Sequence, residues 1–454
     1  MSCRYFIALV LLLWLSAGGH AGEAKSRQPN IIFILADDLG YGDLGCYGQK
    51  RIQTPNIDQL AKEGIRFTQC YAGSTVCAPS RCCLMTGLHT GHARIRGNAN
   101  VPLKPEDVTV AEVLKKAGYA TGLSGKWGLG EAESTGVPNK KGFDSFFGYL
   151  NQHHAHNYWP DFLWRDEMKV AIAGNVVKNN VASTKAVYSP DLIAKDALQF
   201  IEQNKSKPFF LYFTPTLPHA NNEAKQEGME IPSDKPYSDK PWPQQQKNHA
   251  AMITRLDADV GRLMQKLKDL KLDDNTIVFF SSDNGPHKEG GADPTFFNSS
   301  GPLRGIKRSM TDGGIRVPMI VRWPGRIQVG ESDQVWAFWD FLPTAAELGG
   351  GKSPDGIDGI SVMPTLLGKG EQKKRDFLYW EFHEGGSRQA VRNGNWKGIR
   401  NKLGGPLELY DVSKDIGEDK NVADQHPEVV KKIEDYLKTA RSESETWPLK
   451  AGKK

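Results

Sequence analysis

Residues 250–285 read AAMITRLDADVGRLMQKLKDLKLDDNTIVFFSSDNG, and the pattern of this stretch changes once, from a helical period to an extended one. Met252, Leu256, Val260, Leu263, Leu267 and Leu270 recur at the three-to-four-residue spacing of a single helix face. TIVFFSS follows directly as a continuous run with the profile of a strand buried on both faces, and it ends on Asp283-Asn284-Gly285. NIIFILADD (Asn30 to Asp38) repeats the second half of this arrangement, ending on Asp37-Asp38, and PFFLYFT (Pro208 to Thr214) is a third buried strand. Helices fall between them. Ser189-Pro190 opens one with Leu192, Ile193, Ala197 and Ile201 on one side, and TPNIDQLAKEG has Thr54 as its cap, Pro55 at its first position and Gly64 as its stop. Strand, helix and strand in this order require right-handed crossovers, so the fold class is α/β, a mainly parallel sheet with helices on both faces.

From about Lys373 the pattern shortens. DFLYWEF, RQAVRNG, NWKGIR and LELYDV are brief strands between turn residues, and HPEVVKKIEDYLKTAR is one amphipathic helix, which predicts a C-terminal antiparallel α+β subdomain over 373–454 beside a catalytic domain over 28–372. Asn221 to Lys247, rich in Pro, Lys, Asp and Gln, reads as a long surface loop, either a plain insertion or a substrate lid.

The chain has 454 residues, 39% hydrophobic and 24% charged, which fits a soluble globular protein with one large domain and a smaller companion. Lys plus Arg at 58 against Asp plus Glu at 53 leaves a net charge of +5, too small over this length to imply nucleic-acid binding by bulk electrostatics. Residues 1–24 carry Arg4, an apolar run from Tyr5 to Leu15 and small residues ending near Ala21 or Ala24, the pattern of a signal peptide. The run is shorter than the ~20 residues that span a bilayer. No cysteine follows it at a lipid-attachment position, so a periplasmic or secreted protein without a stable membrane anchor is expected. Removing the leader takes away Cys3 and leaves Cys46, Cys70, Cys77, Cys82 and Cys83, an odd set that asks for one thiol with a separate fate.

Ligands collect at the carboxyl ends of parallel strands, where Asp37-Asp38 and Asp283-Asn284 would meet. Four hard oxygen donors suit Ca²⁺ or Mg²⁺, although each pair alone also reads as an ordinary turn. In VCAPSRCCLMTG (Val76 to Gly87), Pro79 favours the first turn of a helix, which places Cys77 at a helix N-terminus with Arg81 one turn on.

Cys77-Ala78-Pro79-Ser80-Arg81 with Thr86-Gly87 resembles the signature of the type I sulfatases, in which a maturation enzyme oxidises the cysteine to Cα-formylglycine. FILADDLGYGDLGCYG, the GKW of Lys126, TLPH ending at His219, SSDNG and GIKRSMTDGGIRVPMIVRWPG extend the likeness, as do DFLPTAAELGG, IDGISVMP and ELYDVSKD. The resemblance implies an alkaline-phosphatase-like fold and hydrolysis of a sulfate monoester on a sulfated glycan or an aryl sulfate. It implies metal ligation by Asp37, Asp38, Asp283, Asn284 and the modified residue 77, usually of calcium. Arg81 would hold the hydrated aldehyde, Lys126 and Lys307 the sulfate oxygens, and His219, with Lys307, would protonate the departing alcohol. One hydroxyl of the hydrated aldehyde attacks sulfur and the second expels sulfate from the covalent intermediate. With Cys77 modified, Cys46, Cys70, Cys82 and Cys83 are left as an even number compatible with up to two disulfides.

One position departs from the family. The usual Lys-Trp-His is Lys126-Trp127-Gly128, so the histidine thought to deprotonate the second hydroxyl is missing. His153, His154 and His156 in GYLNQHHAHNYWP, and His287 after the metal pair, are candidates to fill the gap or read the substrate, with His287 favoured. Tyr149, Tyr158, Trp159, Phe162 and Trp164 gather nearby, a weak pointer to sugar rings. A phosphodiesterase or phosphonate hydrolase of the same superfamily, and a non-catalytic glycan-binding homologue, are the competing readings.

Overall fold

A computed structural model describes residues 28–451. The leader read over residues 1–24 lies outside them. Five strands, Thr276–Ser282, Asn30–Ala36, Phe209–Thr214, Ala120–Lys126 and Ser145–Tyr149, run parallel in that spatial order. On one side the sheet continues through Arg316–Arg322 and Ile65–Tyr71, and on the other through Phe162–Arg165 and Met168–Ala171, all added antiparallel. The sheet is mixed and mainly parallel at its centre, an alkaline-phosphatase-like α/β arrangement.

Successive side chains of a strand point to opposite faces, and this divides the core in two. Phe33 and Leu35 face the layer of the helices Cys77–Thr86, Val110–Lys116 and Phe341–Gly349. Ile32 and Ile34 face the layer of Pro55–Lys62, Ser189–Gln203 and the long helix Gln244–Asp269. A separate four-stranded antiparallel sheet, Leu378–Phe382, Arg388–Asn393, Trp396–Arg400 and Glu408–Asp411, packs Val391 and Leu409 against Ile433 and Leu437 of the helix Pro427–Leu437. Among the described residues no helix is long and apolar enough to cross a membrane.

Three sequence expectations change here. Thr54 does not cap its helix: its hydroxyl accepts Gly45 N–H and donates to Asp58, while the first free N–H groups, Asn56 and Ile57, donate to Asp257 of the long helix at 2.9 and 2.8 Å. The 221–247 stretch is not a plain insertion, because Met229, Glu230 and Tyr237 are buried and the helix after it begins at Gln244. The five described cysteines are all free thiols. Cys46 packs in one core layer while Cys70, Cys82 and Cys83 lie in the other, across the sheet.

Candidate active site

Four of the parallel strands deliver their carboxyl ends to one place. Ala36 lies in register with Ser282, so Asp37-Asp38 and Asp283-Asn284 emerge side by side. Lys126 is the last residue of its strand, and His219 sits in the loop just after Phe209–Thr214. The helix Cys77–Thr86 enters from one face with Cys77 as its first residue, and the loop before Arg316–Arg322 carries Lys307 in. All seven of these charged or polar groups and the thiol are at most 5% exposed. Asp38 holds a left-handed backbone conformation, φ +64°, unusual for a residue other than glycine and of the kind stored at working sites.

Each carboxylate is matched with a cation. Lys126 Nζ donates to Asp37 Oδ2 at 2.7 Å, Lys307 Nζ to Asp38 Oδ2 at 2.8 Å, and Arg81 Nε to Asp283 Oδ2 at 3.0 Å. Cys77 Sγ lies 3.4 Å from Asp37 Oδ1 and 4.0 Å from Asp38 Oδ1. Asn284 Nδ2 donates to Asp38 Oδ1 at 2.6 Å, and its Oδ1 is buried without a partner. Three buried carboxylates against three buried cations balance, which is how so many charges tolerate the interior. Burial works to raise the Asp37 carboxyl, but Lys126, His219 and Arg81 hold it well below its usual range. Burial, and then its neighbour Asp37, pushes Asp283 up to about 7. The Cys77 thiol is raised well above its ordinary value, chiefly by burial.

A chain with this cluster matches the sulfatase family model over residues 29–351. It belongs to the sulfatase family. A model for the N-sulphoglucosamine sulphohydrolase C-terminal region matches residues 306–443 of the same sulfatase. It is 34% identical to human arylsulfatase A, over 91% of this chain and 88% of that one. It is 32% identical to the N-acetylgalactosamine-6-O-sulfatase of Bacteroides thetaiotaomicron, over 92% and 94%. Among solved structures, Ps i-CgsB in complex with k-i-k-neocarrahexaose superposes with a TM-score of 0.79 at 28% identity, covering 91% of this chain and 93% of that one. The phosphonate monoester hydrolase of Agrobacterium radiobacter superposes with a TM-score of 0.63 at 21% identity, covering 94% and 100%, a likeness of fold.

The candidate histidines of the sulfatase separate. His219 Nδ1 donates to Ala220 O at 2.6 Å, which turns the Nε2 lone pair toward Lys307 Nζ at 3.2 Å. Burial, reinforced by Lys307, keeps this imidazole neutral. His156 stacks on His219 with ring centres 4.9 Å apart, and its Nδ1 donates to Glu223 at 3.0 Å. His154 instead packs against Tyr149 and Phe162, and burial lowers it to about 4. His153 is exposed beside Glu223. His287 has no free nitrogen: Nδ1 accepts Glu289 N–H at 3.1 Å and Nε2 donates to Pro218 O at 3.2 Å. It is fixed in place by backbone rather than available as a base.

Glu289 also enters the site: its carboxylate accepts a hydrogen bond from Lys307 at 3.0 Å and pairs with Arg308. Burial would raise it, yet Lys307 and its other neighbours bring it down to about 2. Nothing local in PHKEGG signals this contact, since it depends on how the following loop folds back. A second cluster, His89, His92 and Asp358, lies outside the centre. Gly91 N–H donates to His89 Nδ1 at 3.1 Å, so the proton of this imidazole sits on Nε2, directed at Asp358 at 3.5 Å. That arrangement uses the His89 lone pair on a backbone N–H, and the contact reads as a hydrogen-bonded tie between two loops.

Proposed function

We propose that this sulfatase hydrolyses a sulfate monoester on an extracellular sulfated carbohydrate, with residue 77 converted to Cα-formylglycine by a maturation enzyme and a divalent cation beside it. One observation carries this reading: the first residue of the Cys77–Thr86 helix stands between Asp37 and Asp38, while Lys126, Lys307 and Arg81 surround the same point with positive charge. The donor set fits a hard cation. Asp37, Asp38, Asp283 and Asn284 offer only oxygen, the buried Asn284 Oδ1 has no partner, and the ligand atoms of Asp37, Asp38, Cys77 and His219 lie within 4.8 Å of one another. We infer calcium, with magnesium as the alternative. Once in place, the cation supplies Lewis acidity and the formylglycine hydrate an oxygen nucleophile.

The protein's own groups do the rest. Lys126 and Lys307 donate to Asp37 and Asp38, Lys307 to Glu289 as well, and with a cation held by the two aspartates both ammonium groups would be placed to hold anionic oxygens. The proton for the departing alcohol starts on Lys307 Nζ, because His219 Nε2 presents a lone pair, and the two form a short path to the ester oxygen. Arg81, fixed between Asp283 and the Lys126 carbonyl, orients residue 77 and moves no proton.

A sulfated galactose or N-acetylgalactosamine is the first substrate to try, in line with the N-acetylgalactosamine-6-O-sulfatase and neocarrahexaose-bound relatives. The leader read in residues 1–24 agrees with work outside the cytoplasm on a polymer too large to enter. The test measures inorganic sulfate released from N-acetylgalactosamine 6-sulfate, carrageenan oligosaccharides and an aryl sulfate, beside aryl phosphate diester and phosphonate. Preference for sulfate supports the reading; preference for phosphate, or no turnover of any ester by formylglycine-bearing protein, overturns it.

A further inference from the structure

Gly128 stands where the family's histidine would, and the structure shows what occupies the space. Its backbone is left-handed, φ +82°, and a Cβ added there would meet Gln152 Nε2 at 2.2 Å. The two segments are bound together: Trp127 N–H donates to Tyr149 O and Gly128 N–H to Leu150 O, both at 2.9 Å, so the chain after Lys126 runs beside the chain that reaches Gln152. The Gln152 carboxamide is buried, and neither its oxygen nor its nitrogen has a hydrogen-bond partner. Buried amides in folded proteins are almost always paired, so an orphan beside a reaction centre marks the place of an absent partner.

The size of the adjoining space limits what that partner is. Gly128, Gln152, Asn151, Glu131 and the 99–102 loop enclose a cavity of about 20 Å³. That is room for roughly one water-sized group and far too little for a sugar ring. The same loop begins at Asn98, whose Oδ1 accepts Ala78 N–H at 3.0 Å, one residue from Cys77. The amide therefore abuts Gly128, two residues beyond Lys126, and shares a cavity with the loop that, through Asn98, bonds the residue after Cys77.

Resting on the formylglycine reading above, we propose that Gln152 takes the missing histidine's place as a positioning residue. Its carboxamide hydrogen-bonds the second oxygen of the hydrated residue 77. A neutral carboxamide is no base, so when that oxygen loses its proton to re-form the carbonyl and sulfate leaves with the electron pair of the broken C–O bond, the proton passes to water in the adjoining cavity. Neither His287, whose nitrogens are both engaged, nor His154, packed between two rings, is needed.

The experiment follows a sulfated sugar with fully converted protein and reads two quantities, kcat and the mass of the peptide containing residue 77 isolated during turnover. In Gln152→Ala, kcat falls at least about tenfold, KM falls with it, and the peptide accumulates one added sulfuryl group; Gln152→His restores kcat and clears the adduct. Gly128→Ala, which displaces the carboxamide, shifts both readouts the same way and stands in if Gln152→Ala fails to fold. Unchanged kcat in Gln152→Ala, or a lower kcat with raised KM and no adduct, overturns the proposal. Absence of sulfate release by the wild-type enzyme would instead bring down the sulfatase reading itself.

Discussion

Arg81 shows how little freedom a single residue has in this site. Its guanidinium is fully buried and serves Asp283 through two nitrogens, with Asp37 at 3.4 Å and the Lys126 carbonyl at 2.8 Å. Removing it leaves the buried Asp283 without its guanidinium partner, a loss of about 3–5 kcal/mol. Arg81→Ala is accordingly expected to lower the denaturant midpoint markedly and abolish turnover, and an unfolding curve that overlays the wild type would refute the pairing. Lys126→Ala is milder for the fold but removes a donor aimed at charge, so kcat should drop by about 10²–10³. The motif Cys-Ala-Pro-Ser-Arg made the local geometry legible from the sequence, since the helix start at Cys77 and the guanidinium of Arg81 lie within five residues. Gln152 and Glu289 were not legible, because their partners arrive from segments that only the fold brings near.

Between elements, the clearest dependence is the cap that Asp257 supplies. The acid lies on the long helix, yet it accepts the N–H groups of Asn56 and Ile57 at the start of another helix 201 and 200 residues away. Asp257→Ala frees two buried donors and should cost about 1–3 kcal/mol, read as a fall in melting temperature, with Asp257→Asn intermediate. The sequence located both helices through their periodicity and Pro55, but assigned the cap to Thr54 because only local partners are visible there. The same limit explains the sheet. Buried parallel strands announce themselves as apolar runs, whereas Arg316–Arg322 and Ile65–Tyr71, which extend the sheet antiparallel, take their neighbours from distant pairing.

Across the whole molecule, the C-terminal sheet supports the loop that carries Lys307. Lys397 Nζ bonds Asp312 at 2.6 Å and Glu418 at 2.9 Å, just downstream of Lys307, and Arg308 bonds Glu384 at 2.7 Å. Glu381 makes a second tie, accepting from Arg96 at 3.1 Å and Arg441 at 2.9 Å. Burial opposes its charge, but His383, Arg96 and Arg441 bring it from 4.5 down to about 2. A depressed carboxylate contributes stability that is complete above its unfolded value and is lost as pH falls through its folded value. Equilibrium unfolding should therefore show stability declining between about pH 4.5 and about pH 2, with a shallower decline in Glu381→Gln; identical slopes would remove Glu381 from the linkage.

The proposed chemistry rests on the identity of residue 77. Protein expressed with a formylglycine-generating maturation enzyme, and protein expressed without one, should be digested and the peptide spanning residue 77 weighed, with sulfate release measured on the same samples. Turnover is expected to rise in proportion to the fraction of residue 77 converted from cysteine to formylglycine and to be nearly absent where cysteine is intact. Full sulfatase activity in protein whose residue 77 is still cysteine would contradict it.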